Sequence, residues 1–488
     1  MGERHDLADR LAAWLSTDGV APALELPVEV TSLERLSGGA SRQSFAATLR
    51  CAGDPLEVVV QRKRRGALGA AMADEATLVR AAGAAGVPVA DVLAATDDPG
   101  PLGGGAMVVR RVSGEALAQT ILRDGRFAGA REGLVGAAAS ALAAIGRIDP
   151  DSPGLGWLRH DDPLDLLEVL HRGLGRAQPV VELTLRWLAA NRPTAPAAPR
   201  VVHGDFRLGN FMVDPDSGRL AAVLDWELAH LGDPAEDLAW ACVKAWRFAG
   251  PAPVMGLGGV DAWLAAYDGA GGDAPDLDRL RWWLVYGTLR WAVICELQAA
   301  AHLSGMVDSV ELAVLGRRVA ESEHDLLGLL GMLPTDGPSP TVRPEGAGSP
   351  DGIGPHDEPT VDELLAAVER FLGGPVTDAT SGQVRFHARV AANAVAIVRR
   401  QLDVGDAPAA AHRTRLASLG FGDDAQLATA IAVGELDDRL AEVGGVLAGA
   451  VVDKLAVANP AYLDSAPADP WSPGRGPAGE WPPSGGHQ

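Results

Sequence analysis

The chain has 488 residues, three cysteines, a formal net charge of −22 and an isoelectric point near 4.9. That length supports two or more domains with separate cores, and that charge argues against a nucleic-acid or anionic-membrane partner. Cys51, Cys242 and Cys295 are too few and too scattered for a disulfide framework. Nothing approaches the ~20 apolar residues of a membrane span, and MGERHDLADRLAAW lacks a signal-peptide core, so a soluble cytoplasmic protein is expected.

In chain order, Leu7, Leu11, Trp14 and Leu15 recur at helical spacing and predict a lead-in helix within residues 1–24. Strands are expected over 29–36, 43–50 and 56–62, a helix over 70–83, and strands over 89–95 and 106–112. After Ser113-Gly114-Glu115 the pattern turns helical: 130–147, 163–174, 179–191, 235–247, 258–268, 276–300 and 308–330. The segment 334–359 is rich in Pro, Gly and charge and reads as a flexible linker. Residues 360–457 return to amphipathic helices, and the Pro-, Gly- and Trp-rich tail over 458–488 reads as disordered.

The densest chemistry lies in HGDFRLGNF (203–211), VLDWE (223–227) and GDPAEDLA (232–239). Phosphoryl transfer needs a carboxylate to take the proton of an attacking hydroxyl, and hard oxygen ligands to hold Mg²⁺ against the phosphates. Asp205 suits the first task. Asn210, five residues on, and Asp225, at the end of a short apolar run, suit the second. His203 reads as a loop support rather than a base, and Asp233 and Asp237 as capping and bracing carboxylates. Arg207 is open to a phosphate, an acidic substrate or a salt bridge, and Glu227 to the shell of a second metal.

These three elements together resemble the aminoglycoside phosphotransferase (APH-like) family. Within it, HGDFRLGN and LDWELAHLGDP look most like the kinase domains fused to some acyl-CoA dehydrogenases. The resemblance covers roughly residues 25–330 and implies an α+β, bilobal protein-kinase-like fold. A five-stranded N-lobe (25–112) would be followed by a mostly helical C-lobe (113–333). A separate all-α domain (360–457) would follow, similar to a helical domain of uncharacterised function and a candidate surface for a partner protein.

The resemblance also implies ATP as donor. Gly38 and Gly39, with Ser41, would let backbone and hydroxyl donors approach its phosphates. Glu75 matches the family's helix glutamate, which pairs with a cation on the third strand. Many relatives carry that cation directly after the apolar triplet, where this chain has Gln61. Arg62 is the expected substitute and Lys63 the second choice, although strand alternation puts Gln61 and Lys63 on one face and Arg62 on the other. In the run 278–291, Arg279, Trp283, Tyr286 and Arg290 either form a face for an anionic carrier such as coenzyme A or belong to a buried amphipathic helix, which is the favoured reading.

The expected function is therefore an ATP- and Mg²⁺-dependent phosphotransferase acting on a hydroxyl of a small molecule, with a hydroxyacyl-CoA or related metabolite preferred. An antibiotic phosphotransferase and a catalytically silent kinase-like binding module are the alternatives.

Overall fold

A computed structural model describes residues 2–36, 42–51, 55–64, 69–194, 198–334, 340–341, 359–465 and 467–469. The chain forms two compact units, one from 1–160 with 195–276 and the other from 161–194 with 277–488.

The first unit opens with helix α1 (Gly2–Leu15) and an antiparallel sheet of strands β1 (Glu29–Arg35), β2 (Arg42–Arg50), β3 (Leu56–Lys63), β4 (Val92–Thr96) and β5 (Ala106–Arg110). Their spatial order is β1-β2-β3-β5-β4. Side-chain alternation gives the sheet two apolar faces. Val58 and Val60 join Phe45, Ala47 and Leu49 against Leu7, Leu11 and Leu15 of α1. Val59, Met107 and Val109 turn to the other side, where helix α2 (Met72–Ala84) supplies Met72 and Ala76. Asp74 and Glu75 lie in the first turn of α2, where negative charge complements the helix dipole.

Below the sheet, β6 (Arg200–Val202) pairs with β9 (His230–Gly232), and β7 (Phe211–Val213) with β8 (Leu220–Val223). Glu115 forms an antiparallel bridge to Val213. Gly114, at φ +146°, lets the backbones close, since a Cβ there would lie 2.7 Å from the Val213 carbonyl oxygen. The helix expected over 235–247 is two pieces, Ala235–Trp240 and a 3₁₀ turn at Lys244–Arg247.

The second unit is helical among its described residues. Val443, Leu447, Val451 and Leu455 recur every four residues and are buried along Leu440–Ala458. This helix packs against Val319–Leu329. Lys454 Nζ donates to both oxygens of Glu323 at 2.9 Å. Tyr462 donates to Asp325 at 2.7 Å, and Asn459 to Glu321 at 3.0 Å.

In helix Leu277–Leu303, Trp283 and Tyr286 are buried, and Tyr286 stacks on Trp282 at 5.9 Å. These aromatics are core. No helix among the described residues is long and apolar enough to cross a membrane.

The five-stranded antiparallel sheet, helical remainder and additional helical C-terminal region are the expected fold class. The boundary at 334–359 stays a proposal: that segment lies almost wholly outside the described residues, and helices on either side of it share the second unit.

Candidate active site

The loop between β6 and β7 carries Asp205 and Asn210, and its shape is set by buried supports. Asp237, 2% exposed, accepts backbone N–H groups from His203 at 2.7 Å and Gly204 at 3.0 Å. Gly204 sits at φ +79°, and a Cβ there would meet the Leu228 carbonyl oxygen at 2.4 Å, so only glycine fits. His203 is fully buried. Its Nδ1 accepts from the Asp205 N–H at 3.2 Å, which assigns the proton to Nε2, 3.0 Å from the Leu224 carbonyl. Burial pushes its pKa down to about 4. A neutral, doubly engaged imidazole is a strut, not a base. Asp233 caps the following helix through the Ala235 N–H at 3.0 Å.

Three donors hold the Asp205 carboxylate. Arg207 Nε and Trp240 Nε1 donate to Oδ1 at 2.9 and 2.8 Å, and Asn210 Nδ2 donates to Oδ2 at 2.7 Å. Arg207 lies over the Trp246 ring at 4.3 Å, and Trp246 packs on Trp240 at 5.2 Å. The salt-bridge reading of Arg207 is the one observed. With its amide nitrogen committed to Asp205, Asn210 retains its carbonyl oxygen as an acceptor.

Asp225 follows β8 in the left-handed region, at φ +66°. A non-glycine residue adopts that conformation only where its surroundings over-determine it, and such residues cluster at functional sites. The preceding Leu224 N–H is tied to the Asn210 carbonyl at 2.8 Å, so the Asp225 turn and the Asn210 loop form one unit. The Asp225 side chain is 42% exposed, yet the protein crowded around it pushes its pKa up to about 6. Arg42 opposes that rise, while Glu227, Asp205 and Glu75 add to it.

Glu75 is 1% exposed and is met by Arg42, with Nη1 to Oε1 at 2.8 Å and Nη2 to Oε2 at 2.7 Å. Burial raises the Glu75 carboxyl while Arg42 holds it down. Arg42 also reaches Glu227 at 3.0 Å and Asp225 at 3.6 Å.

The pairing expected between Arg62 and Glu75 does not form. Arg62 alternates with the residues that face α2 and lies on the α1 side of the sheet, where it donates to Gln43 and, at 3.0 Å, to the Leu102 carbonyl. Lys63 Nζ is bound to the carbonyls of Gly69 and Ala70 at 2.7 and 2.9 Å. Gly38, Gly39 and Ser41 lie outside the described residues.

Sequence reasoning missed Arg42 and Trp240. Arg42 carried a signal, a cation just past the Gly-Gly pair in a chain whose third-strand seat holds Gln61. Trp240 carried none, since its distance from Asp205 is set by the helix that follows β9.

The arrangement presents one well-held carboxylate, an amide oxygen, a second carboxylate on a strained turn and a buried Arg–Glu pair. The profile of the phosphotransferase enzyme family (APH) matches residues 32–283, just over half of the chain, and a domain of unknown function (DUF6285) matches 378–462. Acyl-CoA dehydrogenase family member 10 of Mus musculus is 29% identical over 159 residues, 30% of this chain and 14% of that protein. Acyl-CoA dehydrogenase family member 11 of Gallus gallus is 43% identical over 63 residues, 13% of this chain and 8% of that protein. The matched segments thus span a small part of those longer relatives. A crystal structure from Ralstonia eutropha JMP134, titled as an aminoglycoside phosphotransferase by likeness, aligns with a TM-score of 0.53 and 22% identity. It covers 64% of this chain and 95% of its own, a likeness that speaks to the fold alone. The family profile takes in most of the sheet, the Arg42–Glu75 pair and the Asp205 loop together, and the chain belongs to the phosphotransferase enzyme family.

Proposed function

We propose that the chain is an ATP- and Mg²⁺-dependent kinase that phosphorylates a hydroxyl group of a small molecule. The observation that carries this reading is the joined pair of loops: Asp205 and Asn210 are hydrogen-bonded at 2.7 Å, and the strained Asp225 turn is tied to the same Asn210.

The residues present fit a magnesium ion. Asn210 has an amide oxygen to give and Asp225 a carboxylate at the protein surface, both hard oxygen ligands. No group of three or more His, Cys, Asp or Glu is placed to hold a metal among the described residues. Two protein oxygens suffice where phosphates and water complete the shell. When bound, the ion would neutralise charge developing on the phosphates. Asp205 accepts the proton of the acceptor hydroxyl as its oxygen bonds to the γ-phosphorus and the bond to ADP breaks. Trp240, Arg207 and Asn210 hold that carboxylate in place, so little reorganisation is needed in the transition state.

The surroundings of Asp205 bear on the acceptor. An arginine and two tryptophans stand beside it, with Arg207 stacked on Trp246. A polycationic antibiotic would meet Arg207 as a like charge, whereas an anionic or neutral acceptor would not. That supports a hydroxyacyl-CoA or related metabolite over an aminoglycoside, as do the acyl-CoA dehydrogenase names of the curated relatives. The retained catalytic set weighs against a silent module.

The test is to incubate the protein with Mg-ATP and a panel of hydroxyacyl-CoAs, aminoglycosides and simple hydroxylated metabolites, scoring ADP and phosphorylated product by mass spectrometry. Phosphorylated acyl-CoA is expected. Asp205→Asn should bind nucleotide and lose at least about 10²-fold in turnover, the usual weight of a general base; full activity in that variant would remove Asp205 from its role.

A further inference from the structure

We propose that Arg42, on β2, is the side chain that grips the nucleotide phosphates in this chain, and that it has exchanged places with Gln61, which occupies the third-strand seat where a cation was expected. This rests on the kinase reading above and adds to it the residue that positions the donor.

The sheet register carries the argument. In the β2–β3 pair Arg42 lies opposite Lys63, Gln43 opposite Arg62, and Ser44 opposite Gln61. Residues directly opposite across an antiparallel pair share a face, and alternate residues along a strand do too. Arg42, Ser44, Gln61 and Lys63 therefore lie on one face. It is the face toward α2, because Gln61 pairs with Met107, which packs with Met72 and Ala76. Arg62 is on the other face.

Gln61 sits on the correct side without a charge, and its Oε1 is buried with no hydrogen-bond partner. An amide there cannot compensate the Glu75 carboxylate, 1% exposed at the base of the site. Arg42 reaches the same carboxylate from the neighbouring strand, hydrogen-bonding Oε1 through Nη1 at 2.8 Å and bringing Nη2 within 2.7 Å of Oε2 as an ion contact.

What Arg42 does with its remaining donors points to phosphate. Nε and Nη2 turn to Glu227 Oε2 at 3.2 and 3.0 Å, and Nη2 lies 3.6 Å from Asp225 Oδ1, the proposed metal ligand. One edge of the guanidinium is fixed by Glu75, and the other is directed to two carboxylates at the metal-binding end of the site. A carboxylate presents oxygens to arginine much as a phosphate does. Glu227 thus stands where a phosphate oxygen would be received and is displaced when Mg-ATP enters.

The experiment measures binding of Mg-ATP and a non-hydrolysable ATP analogue to the full-length chain by calorimetry. It uses wild type, Arg42→Gln, Arg62→Gln, Lys63→Gln, and the exchange variant Arg42→Gln with Gln61→Arg. Arg42→Gln should weaken binding by about 30-fold, the weight of charge-assisted hydrogen bonds to phosphate. The exchange variant should recover most of that loss, and Arg62→Gln and Lys63→Gln should stay within about threefold of wild type. Because Arg42→Gln strands a buried carboxylate, Arg42→Gln with Glu75→Gln removes both charges and keeps the comparison open if the single variant does not fold. Wild-type affinity in that double variant would make Arg42 a structural partner of Glu75 only and overturn the proposal. A loss confined to Arg62→Gln or Lys63→Gln would do the same. Wild-type protein that binds no Mg-ATP would instead refute the kinase reading itself.

Discussion

Buried charge in the second unit gives a prediction that needs no substrate. His171 lies in the last turn of helix Pro163–Gly173, 1% exposed, between two carboxylates: Glu182 Oε1 at 3.6 Å from Nε2 and Glu296 Oε2 at 3.5 Å from Nδ1. Glu296 is fully buried, with its other oxygen held by Gln178 at 2.6 Å. Burial alone would lower the imidazole pKa; the two carboxylates overcome it and raise the value to about 9. A folded-state pKa above the unfolded value near 6.5 means that the imidazolium stabilises the fold fully below pH 6.5. That contribution declines as pH rises and is gone once pH passes about 9. The difference corresponds to roughly 3 kcal/mol. Urea unfolding at pH 6 and pH 9.5, compared between wild type and His171→Gln, isolates it, because other titrating groups cancel between the two proteins. Wild type should lose about 3 kcal/mol more than the variant over that interval. Parallel profiles, or wild-type stability that climbs with pH relative to the variant, would refute a charged His171.

Further outcomes follow from the geometry of the catalytic loop and of the second unit. Asp237→Ala leaves the His203 and Gly204 N–H groups buried without an acceptor and should cost about 2–5 kcal/mol in thermal unfolding, with phosphotransfer lost. Trp240→Phe removes one of the three donors on Asp205. It should lower kcat about tenfold with the ATP KM unchanged, and a KM effect without a kcat effect would contradict the assignment. A chain ended at residue 333 strips Glu323, Asp325 and Glu321 of Lys454, Tyr462 and Asn459 and removes the apolar helix Leu440–Ala458 that packs on Val319–Leu329. Size-exclusion chromatography should then show aggregation, and a monodisperse product would mean that the helices before the linker are stable without those after it.

The five strands of the sheet and helices α1 and α2 were legible in local periodicity, whereas the short strands β6 to β9 were not anticipated. Alternation marks β2 and β3, and the Gly-Asp-Pro sequence at 53–55 sets them apart as separate segments in the sequence. The long helix expected over 235–247 failed at its end. Ala241, Cys242 and Val243 are apolar and buried, which reads as helix in sequence, but the chain bends there and Trp246 packs against Trp240. The partnership of Leu440–Ala458 with Val319–Leu329 was not legible, because a Pro- and Gly-rich segment between two helical stretches looks the same whether or not their faces meet.

The candidate site divides along the same line. Asp205 and Asn210 lie in one loop, and Asp225 stands two residues past β8, the strand paired with β7, so a spacing of a few residues was enough to name them. The cation on Glu75 depends on which residue of β2 stands opposite which residue of β3, a matter of register rather than spacing. Alternation already placed Arg62 away from Gln61 and Lys63, and that rule outweighed the preference for keeping a cation on the third strand. Followed through, it leaves Glu75 without an arginine from β3 and sends the search to the strand beside it, where Arg42 is the first residue of β2. A buried carboxylate whose expected partner is neutral is therefore a reason to examine neighbouring strands for a compensating charge before reading the site as decayed.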